Sequence, residues 1–355
     1  MNPIAYLTSC LPNEQTAALI QAPHNRLYLT GMQTSAGYVL ITPQYARFLT
    51  DFRYIEAAKQ QINVMESVEC VRLSQTILPW LNEQKITTLW VEESGTTLEQ
   101  LAALKRAFPD CEVQGSADLD AALNALRVVK TPAQMQHIRS AQELTDEGFS
   151  YILSRITAGR TEKEVALDLE FYMRRQGADS VSFDFVVVSG ENSSKPHGVP
   201  GNRTLKHGDF VTMDFGATVN GWHSDMTRTV AIGGVNEEQN GIYHTVLRAQ
   251  EEALKTVSAG VSCAEADRAA RRVIEQAGYG EWFGHGTGHG VGVQIHEAPS
   301  LSPRSNETLC VGNVVTVEPG IYLPRKYGVR IEDMVWIEEN GYENLTKSPK
   351  NLIIL

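Results

Sequence analysis

Three histidines stand close together in a glycine-rich stretch late in the chain. They are His285, His289 and His296, within GHGTGHGVGVQIHE, residues 284–297. Glycine loses the most backbone freedom on folding and offers no side chain to pack, so this stretch is a poor choice for stability alone. Imidazoles can bind metal ions or donate hydrogen bonds to a substrate. We therefore expect a functional site here, or a place where the backbone approaches another group closely.

A predicted hairpin sets two aspartates side by side. Asn220-Gly221 is a strong signal for a type I′ turn because both residues tolerate a positive φ. A two-residue loop then sets Asp214 opposite Thr227. Since side chains alternate along a strand, Asp214 and Asp225 share one face as diagonal neighbours. Adjacent carboxylates repel each other unless a proton or a cation lies between them. The pair indicates a cation site, and the alternative is two solvated surface aspartates.

Two glutamates occur at comparable places in later strands. Glu318 ends the alternation of NVVTVEPGIY, immediately before a Pro-Gly turn. Glu332 lies in GVRIEDMVWIEENG, which we predict to be one strand with Arg330, Glu332 and Met334 on one face. Arg330 either pairs with the glutamate at the surface, orients it, or binds the anionic end of a substrate.

Five of these residues can form one site. Four carboxylates and one imidazole make an oxygen-dominated ligand set: Asp214, Asp225, His289, Glu318 and Glu332. This set suits two divalent cations better than one structural zinc ion. We expect two ions, Mn²⁺ or Co²⁺, with Zn²⁺ as the alternative. Two ions about 3.5–4 Å apart would acidify a bridging water and polarise the carbonyl group that it attacks.

Composition excludes several classes of partner. The net charge of −11 disfavours nucleic acid and anionic membranes. The five cysteines are scattered and form no CxxC pair, which disfavours a disulfide framework or a zinc-thiolate site. The start of the chain lacks the pattern of a secretory signal, and no apolar run approaches about 18 residues. We therefore expect a cytoplasmic protein.

Residues 1–128 predict a small α/β domain because β-type runs alternate with helix-like segments. The predicted strands are RLYLTG, GYVLITP, ARFLTD and ITTLWVEE, and the predicted helices are DFRYIEAAKQQI and TTLEQLAALKRAF.

Residues 129–355 predict an α+β domain in which four helices are combined with strands. The first helix is capped by Thr131 with Pro132 at its first position. The second has a capping box of Thr161 and Glu164 and ends at Gly177. NGIYHTVLRAQEEALKTVSAG and CAEADRAARRVIEQAG are the third and fourth.

The order of the motifs resembles a known family. MDFGA, HSDMTRT, GHGTGHGVG with IHE, VEPGIY and GVRIED are similar to the metallopeptidases of the pita-bread fold. YLTGMQTSAGYVLITP and LTDFRYIEAA resemble the creatinase-type N-terminal domain of that family. The resemblance implies an α+β pita-bread catalytic domain at 129–355, preceded by the smaller α/β domain at 1–128.

The resemblance also implies a role for each ligand. Asp214 would bind one metal ion, and His289 and Glu318 would lie toward the other. Asp225 and Glu332 would bridge the two ions. Glu318 would in addition move a proton from the attacking water to the leaving nitrogen.

Four further residues gain roles from the same resemblance. His197, in KPHGVP, would help to hold the substrate beside the metals. His296 would stabilise the oxyanion of the tetrahedral intermediate. Arg330 and His285 would lie beside the substrate pocket, and for His285 a purely structural role is the alternative.

The implied activity is hydrolysis of Xaa-Pro bonds. Methionine aminopeptidases lack the N-terminal domain, which favours the proline-directed branch. Ser300 stands where many relatives carry glycine or arginine, which favours an Xaa-Pro aminopeptidase, with an Xaa-Pro dipeptidase (prolidase) as the alternative. More remote alternatives are a metal-free creatinase-like hydrolase and a peptide-binding pseudoenzyme. The family further implies short proline-containing peptides as substrates and a homodimer.

Overall fold

The computed structural model describes residues 2–355. The chain divides into two compact units, residues up to Arg127 and Val128–Leu355. Each unit has hydrophobic clusters of its own, which together account for its core.

The first unit is an α/β unit built on one six-stranded sheet. Its helices are α1 (Pro3–Ser9), α2 (Pro23–Thr30), α3 (Ile55–Gln61), α4 (Leu73–Glu83), α5 (Leu98–Ala107) and α6 (Ala117–Val128). Its strands are β1 (Thr16–Ile20), β2 (Tyr38–Ile41), β3 (Ala46–Thr50), β4 (Glu66–Glu69), β5 (Thr88–Glu92) and β6 (Glu112–Ser116). In space they follow the order β4-β3-β2-β1-β5-β6. The sheet is mixed, because β1 pairs with β2 in the antiparallel sense and with β5 in the parallel sense.

One predicted strand of this unit is wrong. RLYLTG, residues 26–31, lies in α2 and its C-cap. The helix begins with Pro23, ahead of the segment, and ends at Gly31, whose φ of 70° closes the helix in the left-handed region. Buried Arg26 donates to the carbonyl of Thr34 at 2.7 Å, and these end signals outweigh the β propensity of the residues between them. The predicted strands that contain β2, β3 and β5, and the predicted helices that contain α3 and α5, are confirmed.

The second unit contains four long helices. They are α7 (Pro132–Leu153), α8 (Glu162–Gln176), α9 (Glu237–Thr256) and α10 (Cys263–Gln276). The predicted caps are confirmed: Thr131 caps α7, and Thr161 and Glu164 form a capping box on α8. Gly177, with a φ of 116°, ends α8. The third helix begins earlier than predicted, because Asn236 caps it.

Thirteen strands form the sheets of the second unit. They are β7 (Ser180–Val181), β8 (Val186–Ser189), β9 (Phe210–Phe215), β10 (Ala217–Val219), β11 (Trp222–His223), β12 (Met226–Ala231), β13 (Gly288–Gly290), β14 (Glu297–Leu301), β15 (Val314–Val317), β16 (Gly320–Leu323), β17 (Tyr327–Arg330), β18 (Asp333–Glu338) and β19 (Gly341–Asn344). The sheets run β11-β10-β7, β12-β9-β8, β14-β13-β15-β18-β19 and β16-β17.

The helices cover these sheets with two apolar clusters. Helices α9 and α10 pack with residues of β15 to β18, and α7 and α8 pack with β9 and β12. Val211, Met213 and Phe215, the predicted core face of β9, are fully buried in the second cluster. Burial of alternate residues leaves the opposite face of each strand available for polar side chains.

Candidate metal centre

The predicted hairpin has the predicted register. Asp214 lies opposite Thr227, and the turn residues Asn220 and Gly221 have φ values of 50° and 78°. The hairpin also divides, since its outer part, β10 and β11, joins a different sheet from β9 and β12. At the division a Cβ on Gly216 would lie 1.9 Å from the backbone carbonyl oxygen of Ser224, so only glycine allows the two chains to approach this closely.

The glycine-rich stretch brings His289 beside another strand. His289 lies in β13, and its backbone N–H donates to the hydroxyl of Thr316 at 3.0 Å. A Cβ on Gly288 would lie 1.9 Å from the carbonyl oxygen of Thr316. Glu318 follows β15, and its N–H donates to the carbonyl of Thr287 at 2.7 Å. The glycine therefore permits the close approach that sets His289 beside Glu318.

Glu332 lies at a break between two strands, so the prediction of one continuous strand is wrong. β17 ends at Arg330 and β18 begins at Asp333, in different sheets. At the break, the N–H of Glu332 donates to the carbonyl of Thr227 at 3.1 Å, which draws the chain toward the aspartate hairpin. The predicted core face is confirmed, since its four members are fully buried: Val329, Ile331, Val335 and Ile337.

The predicted ligands converge. One ligand atom from each of Asp225, His289 and Glu332 lies within 4.8 Å of the other two. The Nε2 atom of His289 is 3.5 Å from Asp225 Oδ2 and 3.3 Å from Glu318 Oε1. Its Nδ1 atom is 3.1 Å from the carbonyl of Gly290, which can only accept, so the proton resides on Nδ1. Nε2, which faces Asp225 and Glu318, is then the ring nitrogen that can bind a metal ion.

Carboxylate oxygens without hydrogen-bond partners also indicate a cation site. Asp214 Oδ1, Asp225 Oδ1 and Glu332 Oε1 are buried without a hydrogen-bond partner among residues 2–355. Buried carboxylate oxygens are normally paired or coordinate a metal. Burial, followed by the charges of the neighbouring carboxylates, raises the pKa of Asp225 and of Glu332 well above the ordinary value. A divalent cation would relieve both the burial of charge and the repulsion.

Glu318 and His289 each oppose the effect of burial on the pKa of the other. Burial alone would raise the pKa of Glu318, but the hydrogen bond and the charge of His289 lower it to about 2. Burial would lower the pKa of His289, but its hydrogen bond to Glu318 and the charge of Glu318, with smaller contributions from Gly290 and Asp214, together raise it. Glu318 is consequently ionised at neutral pH.

Arg330 is held by a polar network rather than pointing freely into solvent. Its Nη2 donates to Asp214 Oδ2 at 2.5 Å, its Nη1 to the hydroxyl of Tyr322 at 2.8 Å, and its Nε to the hydroxyl of Thr227 at 2.9 Å. The Thr227 hydroxyl donates in turn to Glu332 Oε2 at 2.7 Å. Arg330 therefore orients two of the predicted metal ligands, one directly and one through Thr227.

His285 takes part in the same network. Its Nδ1 is 2.8 Å from the carbonyl of Gly286, and its Nε2 is 2.8 Å from the hydroxyl of Tyr322. Since the carbonyl can only accept, Nδ1 donates and Nε2 accepts the phenol proton. Burial lowers the pKa of His285 and raises the pKa of Tyr322 to about 12, which keeps both groups neutral.

All nine predicted site residues line one cleft of about 670 Å³. They are His197, Asp214, Asp225, His285, His289, His296, Glu318, Arg330 and Glu332. The rings of His289 and His296 meet edge to face with centroids 4.4 Å apart. Burial, followed by the charge of His289, lowers the pKa of His296. Phe183, Phe185 and Val199 add an apolar wall.

Two polar contacts of the site were not predicted. Tyr322 connects Arg330 to His285 through its hydroxyl. The one feature of the sequence that could have indicated this role is its position four residues after Glu318 in VEPGIY. Thr227 was predicted to share the aspartate face, but its hydrogen bond to Glu332 joins strands that are 105 residues apart. Such contacts depend on how the sheets pack together. The alternation of polar and apolar residues along one strand does not predict that packing.

Comparisons with known proteins agree with this geometry. Residues 136–339 match metallopeptidase family M24, and residues 13–129 match the creatinase/prolidase N-terminal domain. The chain belongs to metallopeptidase family M24. Its fold is the pita-bread fold preceded by the creatinase-type domain, as predicted.

Several relatives of this M24 peptidase carry names that state a specificity. The Xaa-Pro dipeptidase of Pyrococcus horikoshii is 35% identical over 342 residues, which cover 96% of this chain and 95% of the relative. A solved Xaa-Pro dipeptidase from Bacillus anthracis has a TM-score of 0.95 at 42% identity and covers 99% of both chains. The X-Pro aminopeptidase from Thermotoga maritima has a TM-score of 0.89 at 37% identity, covering 96% of this chain and 97% of its own. Within residues 2–355, no helix is both long and apolar enough to cross a membrane.

Proposed function

We propose that this M24 peptidase is an Xaa-Pro dipeptidase, a prolidase, that acts with two divalent metal ions. The dipeptidases of Pyrococcus horikoshii and Bacillus anthracis, which match nearly the whole chain, support this reading over the aminopeptidase favoured by the sequence. The observation that carries the catalytic part is the group of buried carboxylates with unpartnered oxygens beside His289. The Xaa-Pro aminopeptidase is the second candidate, because the Thermotoga maritima enzyme matches the chain almost as well.

Five residues would hold the ions in this proposal, with the roles predicted above: Asp214, Asp225, His289, Glu318 and Glu332. Mn²⁺ or Co²⁺ suits such an oxygen-dominated set, with Zn²⁺ as the alternative. When bound, the ions would lower the pKa of water and polarise the scissile carbonyl.

The protein groups have separate tasks in the reaction. Glu318, an ionised carboxylate, takes the proton of the attacking water and delivers it to the leaving proline nitrogen. His296 donates a hydrogen bond at the position where the oxyanion develops. His197, in the irregular segment that follows Gly190–Ser194, holds the substrate in the cleft. Arg330 fixes Asp214 and, through Thr227, Glu332, so that the ligands need little rearrangement during the reaction.

An Xaa-Pro bond suits this arrangement for chemical reasons. Its nitrogen carries no N–H, so an enzyme that grips the backbone by hydrogen bonds loses a contact. Activation of the carbonyl does not need that N–H. The apolar wall of Phe183, Phe185 and Val199 offers a surface against which a pyrrolidine ring can be buried.

Dipeptidase and aminopeptidase differ in how they treat the group after proline. Of the described residues that line the cleft, Arg330 is the one with a guanidinium or ammonium group, and it is engaged by Asp214, Tyr322 and Thr227. The carboxylate of a dipeptide would therefore meet the imidazoles of His197 and His296. Ala-Pro and its neutral analogue Ala-Pro-amide measure this recognition directly.

The deciding experiment combines metal replacement with these substrates. The purified protein is stripped with a chelator and restored with Mn²⁺ or Co²⁺. Hydrolysis of Ala-Pro, Ala-Pro-amide and Ala-Pro-Ala is then compared. Metal-dependent cleavage of Ala-Pro, with much slower cleavage of the other two, is the expected result. Preferential cleavage of Ala-Pro-Ala would make the enzyme an aminopeptidase. Failure to cleave any of the three by a metal-loaded protein would contradict both candidates.

Three broader statements belong to the same proposal. The catalytic domain comprises residues 129–355, and the creatinase-type domain comprises residues 1–128. The enzyme acts in the cytoplasm on short proline-containing peptides, without nucleic acid or membrane as a partner. It forms a homodimer, which sedimentation analysis of the purified chain, of 39.2 kDa, would detect as a doubled mass.

A further inference from the structure

One long irregular segment, residues 190–201, lines part of the cleft and carries His197. Only its beginning is regular, as a short 3₁₀ helix at Gly190–Ser194. The remainder contributes Pro196, His197 and Val199 to the cleft lining, and Val199 is 84% exposed. A loop of this kind is mobile unless its backbone is tied to the rest of the fold. What ties it therefore matters for how His197 meets a substrate.

Glu162 contacts the chain at both ends of this segment. It is the first residue of α8 and is fully buried. Its Oε1 accepts from the N–H and the hydroxyl of Ser189, at 2.7 Å and 2.8 Å. Its Oε2 accepts from the N–H of Gly201 at 3.2 Å, and the side-chain amide of Asn192 lies within 3.3 Å of both oxygens. One carboxylate thus joins the residue before the segment to the residue at its end.

The chemistry of this contact requires an ionised acid. All of the groups around Glu162 are N–H or O–H donors, and a carboxylate is an acceptor at both oxygens. Hydrogen bonds to a charged acceptor are stronger than those to a neutral one. The negative charge is also favoured at the N-terminus of α8. A glutamine of the same shape would present an amide donor to another donor.

We propose that Glu162 is a positioning residue that holds the loop at residues 190–201 so that His197 faces the substrate. It does not touch the cleft itself, since it is absent from the described cleft lining. It acts through the backbone on either side of His197. This inference rests on the proposed function, because that function gives His197 its role.

The test uses Glu162→Gln with a matched control, Glu164→Gln. Glu164 lies in the same first turn of α8, and its carboxylate accepts from the N–H and the hydroxyl of Thr161, a capping contact that glutamine preserves. Both variants remove one negative charge from the same helix end, but only the first contacts the loop. Hydrogen exchange of residues 189–201 should be faster in Glu162→Gln than in wild type, and unchanged in Glu164→Gln. Equal exchange in all three proteins would overturn the proposal.

Kinetics separate positioning from general destabilisation. We expect the KM of Mn²⁺-loaded Glu162→Gln for Ala-Pro to rise about tenfold, with a smaller change in kcat, because a displaced loop binds substrate less well. Mn²⁺ affinity measured by titration calorimetry should be unchanged. In a His197→Ala background, Glu162→Gln should change KM by less than about twofold, since both changes remove the same contact. Independent, multiplying effects would overturn the proposal.

Two provisions keep the test decisive. If Glu162→Gln does not fold, Asn192→Ala removes one donor to the same carboxylate, and the exchange and double-variant experiments are repeated with it. If wild type cleaves no proline peptide, the proposed function fails, whereas hydrogen exchange still decides whether Glu162 anchors the loop.

Discussion

Asp225 and Glu332 are the residues on which function and stability conflict most directly. Both are buried, and burial, followed by the charges of nearby carboxylates, raises the pKa of each. Without a cation, the folded chain must hold these acids against their mutual repulsion. With a cation, the same charges become ligands. Removal of one charge should therefore stabilise the metal-free protein and weaken the stabilisation by a bound cation.

Glu332→Gln tests that opposition. Glutamine keeps an oxygen that can accept from Thr227, so the change removes mainly the charge. We expect the chelator-treated variant to melt about 2–4 °C above chelator-treated wild type. Mn²⁺ at a hundred times its Kd should stabilise wild type by about 2.7 kcal/mol for each bound ion and stabilise the variant much less. Calorimetry with and without Mn²⁺ measures both effects.

Two controls accompany this measurement. The exposed Glu339, changed to Gln, should leave both melting temperatures unchanged. Peptidase activity of Glu332→Gln should fall at least about a hundredfold, since even the partners of metal ligands are worth ten- to a hundredfold. A variant that is less stable than wild type in chelator would contradict the repulsion argument.

Tyr322 offers a second prediction for a single residue. Its hydroxyl accepts from Arg330 and donates to Nε2 of His285, so it fixes the orientation of both. Tyr322→Phe removes a hydrogen-bonded group worth about 1–1.5 kcal/mol, and we expect kcat/KM for Ala-Pro to fall about tenfold. Tyr342→Phe, at a half-buried tyrosine outside the cleft lining, should have no effect. Unchanged kcat/KM in Tyr322→Phe would show that the network does not contribute to catalysis.

Among the elements, the hairpin and the helix caps were predictable because their signals are local. Asn220-Gly221 determined the register that sets Asp214 opposite Thr227. Thr161 and Glu164 determined the start of α8. RLYLTG was assigned wrongly because its β-type residues were given more weight than the helix signals of Pro23 and Gly31. The break before Glu332 was missed because it depends on a hydrogen bond to Thr227, far away in the sequence.

The site itself was more predictable than the elements around it. Alternation along each strand showed which acids lie away from the core, and the family resemblance joined them into one site. Alternation could not show the bonds between separate sheets, such as those of Tyr322 and Thr227. It also could not show that Glu162, the first residue of α8, contacts both ends of the His197 loop.

The close approach of β13 to β15 can be tested with glycine variants. A Cβ at Gly288 would meet the carbonyl of Thr316 at 1.9 Å, whereas a Cβ at Gly284 would meet nothing within 4 Å. Gly288→Ala must push the strands apart, which we expect to cost at least about 2 kcal/mol of unfolding free energy and to weaken Mn²⁺ binding at His289. Gly284→Ala, in the same stretch, should change stability by less than about 1 kcal/mol. Denaturant titration and Mn²⁺ calorimetry compare them. Equal behaviour of the two variants would contradict the argument.

The stability of the two units should respond differently to metal ions and to acid. The proposed metal ligands all belong to Val128–Leu355, so cations act on the stability of that unit. The first unit has its own apolar clusters and carries a half-buried histidine, His24, on α2. Acid should therefore weaken the first unit by a route that does not involve the metal site.

The direction of this acid effect follows from the pKa of His24. Burial, and then the charges of Arg127 and Arg26, lower its pKa from 6.5 to about 4. Between these values the unfolded chain binds a proton at this position and the folded chain does not, so the free energy of unfolding falls as the pH falls from about 6.5 to 4. Above pH 6.5 the contribution is fully present. His24→Gln should flatten the pH dependence of the urea midpoint in this window, and His244→Gln, at an exposed histidine, should leave it as in wild type. An unaltered slope in His24→Gln would mean that His24 takes up its proton equally in both states, and that another group is responsible for the loss of stability in acid.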